Sequence, residues 1–342
     1  MHLTDTAHTA GPGPRNHIAD VPGLAVGHAH DAAVRTGVTA LIPTTPCVVA
    51  GDVRGGGPGT RETDLLDPST LVDVADAVVL SGGSSYGLAA ADGVAAALGA
   101  DGRGFQLIAV EGVPPSPIVP AAILYDLANG GDKAWGATPP YAALGRAAYA
   151  DAKKNGATAR QTALGAVGAG YGAMAGAEQG GLGSASYVSH DGFTVGAMMA
   201  VNCFGSTRMS PGGAFWSWPF ELNGEFGGAR PDAKDGALAD LPADTKLGPA
   251  AAPRHNTTIG VVAVDAALTQ ADARRIAVMA QDGIARSIRP VHGPTDGDVI
   301  FVLGLGPRPC ADPVTITRIG SIAADCVARA VARGVYEAGG EG

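Results

Sequence analysis

The chain is poor in charge, poor in aromatic residues and nearly without cysteine. Of its 342 residues, 16% are charged, 5% are aromatic and four are cysteine. Set against 46% hydrophobic residues, the low charge excludes a disordered chain, because a core large enough to offset chain entropy can form. The 23 Lys and Arg are scattered and outnumbered by 32 Asp and Glu, giving a net charge of −9. That argues against nucleic acid or an anionic membrane surface as a partner. Cys47, Cys203, Cys310 and Cys326 lie far apart and form no C-x-x-C pair. Neither a zinc ribbon nor a redox centre is indicated, and buried, inert thiols in a reducing compartment fit instead. No uninterrupted apolar run is long enough to cross a bilayer. The opening "MHLTDTAHTAGPGPRNHIADVPG" lacks the charged start and apolar stretch of a signal peptide. These features predict a cytoplasmic protein with a frayed tail before Ile18.

Glycine is abundant, at 52 residues, which with the many alanines predicts close backbone packing and tight turns. Apolar, β-branched runs predict strands at 37–44 and 47–53 with a turn at Pro46, then at 76–81, within 118–128, from 192 to Asn202, at 257–267 and at 297–306. Helical spacing predicts helices at 88–98, 141–154, 270–289 and 317–338. Lys153 and Lys154 suit a helix C-terminus. Thr269 is a candidate N-cap with Asp272 three residues on, and Pro290 lies past that helix's end. The polar, Pro-rich stretch 232–253 reads as a loop or linker. No repeat or low-complexity block marks a second domain, so the chain is a single mixed αβ domain with strands needing cover on both faces.

Several stretches invite a chemical reading. "GGGPGTRETDLL" (55–66) lacks the G-K-[ST] of a phosphate loop. It is either a tight turn with Arg61 paired to Glu62 or Asp64, or part of a cleft wall. "GSSYG" is a literal G-x-S-x-G centred on Ser85, between a strand and a helix, as a nucleophile elbow requires. A serine esterase would also need a downstream acid and one of His190, His255 or His292. "HAH" at His28 and His30 has no carboxylate–histidine cluster beside it, so no metal is expected. "HGPTDGDVIF" sets Asp296 and Asp298 around Gly297 before a strand. They form either a turn or a carboxylate pair able to hold an ammonium group. Trp216 and Trp218 in "FWSWPF" suit core or subunit packing better than substrate stacking.

The sharpest boundary is "RHNTTIGVVAVDAALT", where the linker meets a core strand at Asn256, Thr257 and Thr258. A threonine hydroxyl is a weak nucleophile until a base takes its proton. A threonine that begins a chain supplies that base as its own α-amine, whose unperturbed pKa of about 8 suits neutral pH. This needs the Asn256–Thr257 bond to be cut, by attack of the Thr257 hydroxyl on the preceding carbonyl and hydrolysis of the ester formed.

Taken together, "IADVPGLAVGHAHD", "GDVRGGGPGTRETDLLDP", "VVLSGGSSYGLAAADGV", "GAVGAGYGA", "GLGSAS", "VGAMMAVNCFG", "NTTIGVVAVDAALT" and "HGPTDGDVIF" resemble, in order and over nearly the whole chain, the DmpA-type aminopeptidases. These are self-processing N-terminal-nucleophile hydrolases that include β-peptidyl aminopeptidases, D-aminopeptidase/esterases and the nylon-oligomer hydrolase NylC. The resemblance implies an αββα four-layer sandwich, two stacked sheets flanked by helices, and self-cleavage into pieces 1–256 and 257–342. It implies a homo-oligomer of such cleaved pairs and a small peptide or amide substrate, with no cofactor and no metal. Carried over by position, Thr257 matches the nucleophile, Asn202 the oxyanion donor, and Asp296 and Asp298 the acidic pair beside the nucleophile. Tyr125 matches a site tyrosine of the nylon branch. Gly82, Gly83 and Ser84, with Ser85, fall in a Gly-rich signature that would contact substrate. One departure weakens the nylon reading: Ala177 stands where that branch carries a lysine. The implied activity is aminopeptidase, acting on D-, β- or small L-residues in peptides, amides and esters. The alternatives are a 6-aminohexanoate-oligomer amidase, a serine esterase built on Ser85, an acyltransferase of the ornithine acetyltransferase kind, and a scaffold without activity.

Overall fold

The computed structural model describes residues 9–157, 162–233, 235, 241–242, 244–246, 256–310 and 312–340. In chain order the elements are β1 (Leu24–Asp31), β2 (Thr36–Pro43), β3 (Val48–Val53), β4 (Thr60–Arg61), β5 (Val78–Ser81), α1 (Ala89–Ala100), β6 (Ala121–Ile123) and α2 (Tyr141–Asn155). Then follow β7 (Met174–Ala175), β8 (Glu178–Gln179), β9 (Leu182–Val188), β10 (Thr194–Asn202), β11 (Thr257–Ala267), α3 (Gln270–Ser287), β12 (Val299–Pro309) and α4 (Pro313–Ala338).

Ten of these strands form two five-stranded sheets, ordered β1-β2-β5-β6-β4 and β3-β12-β11-β10-β9. The sheets stack face to face. Leu41, Val78 and Leu80 of the first meet Met198, Ala200, Val261, Ala263, Phe301 and Leu303 of the second in one buried cluster. On the outer face of the second sheet, Met199, Val262, Val264 and Val302 pack on Ile276, Ile284, Ile319 and Val327 of α3 and α4. The first sheet's Val38, Ala40 and Val79 pack on Val94 and Leu98 of α1 and on Ala148 and Tyr149 of α2. Alternate residues of β11 thus enter different cores, which is why the strand is apolar from Ile259 to Val264. The result is the αββα sandwich. β11 and β12 run parallel, joined through α3.

The abundance of glycine has a local cause where elements meet closely. A Cβ at Gly183 of β9 would fall 1.9 Å from the carbonyl oxygen of Ala330 on α4, and one at Gly93 of α1 would fall 2.0 Å from that of Ala142 on α2. Any larger residue would push α4 off the sheet or part the two helices of the other outer layer.

Most of the predicted elements form, and several expectations need correction. β2 and β3 flank the turn at Pro46 but lie in different sheets. β9 goes unseen in the apolar pattern because Gly183, Ser184 and Ser186 interrupt it: Gly183 lets α4 approach, while the hydroxyls of Ser184 and Ser186 bond Ile18 N–H at 2.8 Å and Asp20 Oδ2 at 2.7 Å. α4 begins at Pro313, earlier than its apolar stripe, because Asp312 Oδ1 accepts from Val314 and Thr315 N–H at 3.0 and 2.9 Å. The tail before Ile18 is tied down from Gly11, whose N–H donates to Val188 O at 3.1 Å. Asn16 bonds Glu225, which also holds the buried Arg329 at 2.5 Å. Arg61 pairs with Asp92 of α1, not with Glu62 or Asp64. Most of the linker, including 247–255, lies outside the described residues.

The four cysteines are buried and free. In "FWSWPF", Phe215 packs edge-on against Phe226 at 5.5 Å, while Trp216 and Phe220 lie under Arg289 and Arg286 at 5.4 and 5.5 Å. These rings therefore serve packing beside α3. Among the described residues no helix is long and apolar enough to cross a membrane.

Candidate active site

β10 ends at Asn202 and β11 begins at Thr257, and the two residues are direct partners in the antiparallel ladder. Fifty-five positions apart in sequence (257 minus 202), they are brought side by side by sheet register. Both are buried, as are Asn256, Asp296 and Asp298. The loop 292–298 before β12 closes the site because β12 is the parallel neighbour of β11. Asn256 bridges Asp296, with Asn256 N–H donating to Thr295 O at 3.1 Å and Gly297 N–H to Asn256 O at 2.8 Å. Thr257 Oγ1 lies 2.5 Å from that same Asn256 carbonyl oxygen.

The two carboxylates differ in surroundings. Asp298 Oδ1 accepts from Thr258 N–H at 2.7 Å. Its Oδ2 meets the His292 ring at 2.8 Å and the His292 N–H at 3.2 Å. Asp296 Oδ2 accepts from Gly293 N–H at 2.7 Å, while its buried Oδ1 has no hydrogen-bond partner among the described residues. Burial first, and then the charge of Asp298, push the Asp296 carboxyl up to about 6, with the backbone N–H groups of Gly293 and Phe204 and the His292 ring acting against the rise.

A carboxyl raised in this way keeps its proton in the folded chain where the unfolded chain has lost it. The stability it contributes is therefore present at low pH and lost as pH rises between 3.8 and about 6. An uncut Thr257→Ala chain should become less stable across that interval. Asp296→Asn in the same background should flatten the slope in thermal melts.

The Gly-rich loop 55–57 is the floor beneath this acidic loop. Gly57 N–H donates to Asp296 O at 2.7 Å and Gly56 N–H to Gly293 O at 3.1 Å. A Cβ at Gly55 would fall 2.2 Å from Asp296 O. Gly55 and Gly56 are small because of this close approach.

Asn202 is held from all sides. Its Nδ2 donates to Tyr125 O at 2.9 Å. Its Oδ1 receives Met174 N–H at 3.0 Å, Asn129 Nδ2 at 3.1 Å and Lys246 Nζ at 3.2 Å. The next residue after Tyr125 anchors the neighbouring signature: Asp126 Oδ1 accepts from Gly83 N–H at 2.8 Å and Oδ2 from Thr36 Oγ1 at 2.6 Å. Gly82 N–H donates to Gly37 O at 2.9 Å and Ser84 N–H to Leu124 O at 3.0 Å. All three backbone donors of Gly82, Gly83 and Ser84 are thus spent inside the protein, and the Gly82 carbonyl accepts from Ser81 Oγ at 2.9 Å.

Ser85 is exposed in the following turn, and the left-handed backbone falls on Ser84 (φ 52°), one residue from the centre of the G-x-S-x-G. His292 is engaged by Asp298 next to Thr257; His255 lies outside the described residues. His28 bonds Thr39 at 3.0 Å and His30 stacks on Tyr171 at 4.3 Å. Among the described residues no group of three His, Cys, Asp or Glu is placed to hold a metal.

Lys246 and the N–H of Gly297 were not legible beforehand. Lys246 lies in the aperiodic linker without any motif, and a main-chain donor has no signature in side chains. Ala177 N–H donates to Asp244 O at 2.8 Å, so the linker turn bearing Lys246 packs against the position where the resemblance had led to a missing lysine.

The four-layer arrangement is that of the Ntn hydrolase fold. Its solved neighbours include a β-aminopeptidase of a Burkholderia species (TM-score 0.67, 22% identical, covering 96% of this chain and 88% of that one). Another is an L-aminopeptidase D-Ala-esterase/amidase from Ochrobactrum anthropi (TM-score 0.63, 20% identical, covering 96% and 87%), described as a variant among the Ntn hydrolase fold. The chain belongs to peptidase family S58, whose model matches residues 16–340, and is a hydrolase. Among its relatives is an uncharacterized aminopeptidase of Mycobacterium tuberculosis, 44% identical over 343 residues, covering 94% of each chain. A 6-aminohexanoate-oligomer endohydrolase of a Kocuria species is 28% identical over 293 residues, covering 83% of this chain and 73% of the relative.

Proposed function

We propose that the protein is a self-processing amide hydrolase, an aminopeptidase, whose nucleophile is Thr257 at the start of a new chain. The observation that carries this reading is the scissile geometry: the Thr257 hydroxyl lies against the Asn256 carbonyl oxygen, which already accepts the Gly297 N–H at 2.8 Å. Thr257 Oγ1 adds to the Asn256 carbonyl carbon, and Gly297 N–H supports the developing oxyanion. The C–N bond breaks, the hydroxyl proton passes to the departing Thr257 nitrogen, and the acyl group rests on Oγ1 as an ester. Water hydrolyses that ester, leaving the Asn256 carboxylic acid on one piece and a free α-amine on Thr257 of the other.

In the mature enzyme that amine takes the Oγ1 proton as the hydroxyl attacks a substrate carbonyl. Asn202 Nδ2 has one hydrogen on Tyr125 O and a second for the substrate oxyanion. The ammonium returns its proton to the leaving amine, and water releases the acyl group from Oγ1. Asp298 is filled by Thr258 and His292, so Asp296 is the carboxylate left to receive the Thr257 ammonium. It stands across a backbone bridge from Asn256. The exposed Leu107, Ile108, Val110 and Val113 support a homo-oligomer of cleaved pairs, since such patches mark contact surfaces.

The relatives named aminopeptidase favour release of an N-terminal residue from a short peptide or amide. The Kocuria relative's name favours a second reading, hydrolysis within aminohexanoate oligomers. A panel of aminoacyl p-nitroanilides in L, D and β forms, with an aminohexanoate oligomer, separates the two. The mass of the purified protein tests the common premise: a chain that never cuts before Thr257 yet turns over these amides overturns it.

Gly297→Ala offers a narrower test. The added Cβ would fall 2.9 Å from Thr257 Oγ1 and 2.8 Å from Gly57 O. The loop must shift, taking its N–H off the Asn256 carbonyl. Self-cleavage should slow by about 10²-fold, the usual penalty for a misplaced reacting group, as read by a time course of freshly synthesised chain on denaturing gels.

A further inference from the structure

Lys246 is buried, a costly place for an ammonium group unless its donors are met. Its Nζ lies 3.0 Å from the main-chain oxygen of Asn202 and 3.2 Å from Asn202 Oδ1. The backbone around it is fixed. Lys246 N–H donates to Phe204 O at 3.1 Å, and Ser206 Oγ donates to Asp244 Oδ2 at 2.5 Å. A residue of the linker upstream of Asn256 is thereby clamped to the end of β10, on the piece that keeps Asn202.

The proposed chemistry needs the Asn202 amide to present N–H to an oxyanion. The same amide turned by 180° would present oxygen and repel it. Three donors converge on Oδ1, from Met174, Asn129 and Lys246, while Nδ2 faces the Tyr125 carbonyl. Two of the three are neutral dipoles. Lys246 carries a full charge, and an ammonium facing an NH2 group is the contact that penalises the turned amide most. Burial raises the thiol of Cys203, the residue after Asn202. Lys246 acts to lower it, and Asp296 and Asp298 to raise it, so the three charges act on one small volume.

We propose that Lys246 is a positioning residue for the hydrolase reaction. It locks the Asn202 amide with Nδ2 toward the oxyanion and places a positive charge behind that donor. This rests on the assignment of Thr257 and Asn202 above. Lys246 does not touch substrate and acts through Asn202.

The test uses the full chain with Lys246→Met, Lys246→Ala and Lys246→Arg, assayed on an aminoacyl p-nitroanilide that the wild type cleaves, with intact mass recorded for each. Lys246→Met keeps the stem and loses the charge. Its kcat should fall about 10- to 100-fold, the range seen when the partner of a site ligand is removed, with KM little changed. Propylammonium added to Lys246→Ala should restore part of kcat, and Lys246→Arg should stay within about threefold of wild type, since it keeps the charge. If a variant remains uncut, the rate of appearance of the cut is scored in the same way, including with propylammonium. Wild-type kcat in Lys246→Met, or a folded Lys246→Arg as inactive as Lys246→Met, overturns the charge lock and leaves Lys246 as packing. If the wild type itself is never cut before Thr257, the nucleophile assignment fails, a result distinct from either.

Discussion

Thr257→Ala should leave one uncut chain of 33.8 kDa with amide turnover reduced by at least about 10³-fold, because it removes the group proposed to form the covalent intermediate. The loss should appear in kcat/KM for every substrate in the panel. Thr257 is buried at the head of β11 opposite Asn202, and truncating it to Ala removes only a hydroxyl and a methyl group. Its melting curve should match that of an uncut wild-type precursor, which separates loss of chemistry from loss of fold. Thr257→Ser keeps a hydroxyl at the same atom and should still cut. A Thr257→Ala chain with undiminished activity would return the nucleophile to Ser85, whose substitution then becomes the next measurement.

Asn202→Ala should lower kcat by about 10²- to 10³-fold, the range for losing one oxyanion donor, equivalent to about 2.7–4 kcal/mol. Here the fold pays as well. Asn202 is fully buried, and the substitution strips an acceptor from Lys246, Met174 and Asn129 and a donor from Tyr125. Each buried group left unsatisfied costs about 1–3 kcal/mol, so a lower melting temperature accompanies the kinetic loss. Asn202→Asp separates the two effects. It keeps an acceptor for Lys246 and Met174 but removes the N–H, and should therefore fold better than Asn202→Ala while remaining as inactive. An Asn202→Asp enzyme with wild-type kcat would remove Asn202 from the oxyanion site.

Sequence alone fixed the strands and helices whose residues carry a strong periodic or apolar signal. The stretches 195–201 of β10, 259–264 of β11 and 299–303 of β12 are buried on both faces and so are apolar. α3 announces itself with Thr269 as its cap, whose Oγ1 accepts from Asp272 N–H at 3.1 Å. The Asn256–Thr257 boundary was visible because a polar linker meets a core strand there. Family resemblance then pointed to Asn202, Asp296 and Asp298, which composition and spacing had left open. β9 stayed hidden because Gly183 replaces the apolar signal where α4 presses closest and Ser184 and Ser186 replace it where their hydroxyls bond Ile18 and Asp20, and Arg61 bonded to a distant helix where sequence offered only its neighbours. What tertiary structure alone decided is how these residues meet. Register sets Asn202 against Thr257, the parallel pairing of β11 with β12 lays Gly297 on the Asn256 carbonyl, and the linker turn folds back so that Lys246 reaches Asn202 Oδ1. Each of these contacts joins groups far apart in the chain through main-chain atoms or through a side chain with no local motif. Local pattern carries no information about such contacts, since they depend on which strands become neighbours and how closely the layers pack.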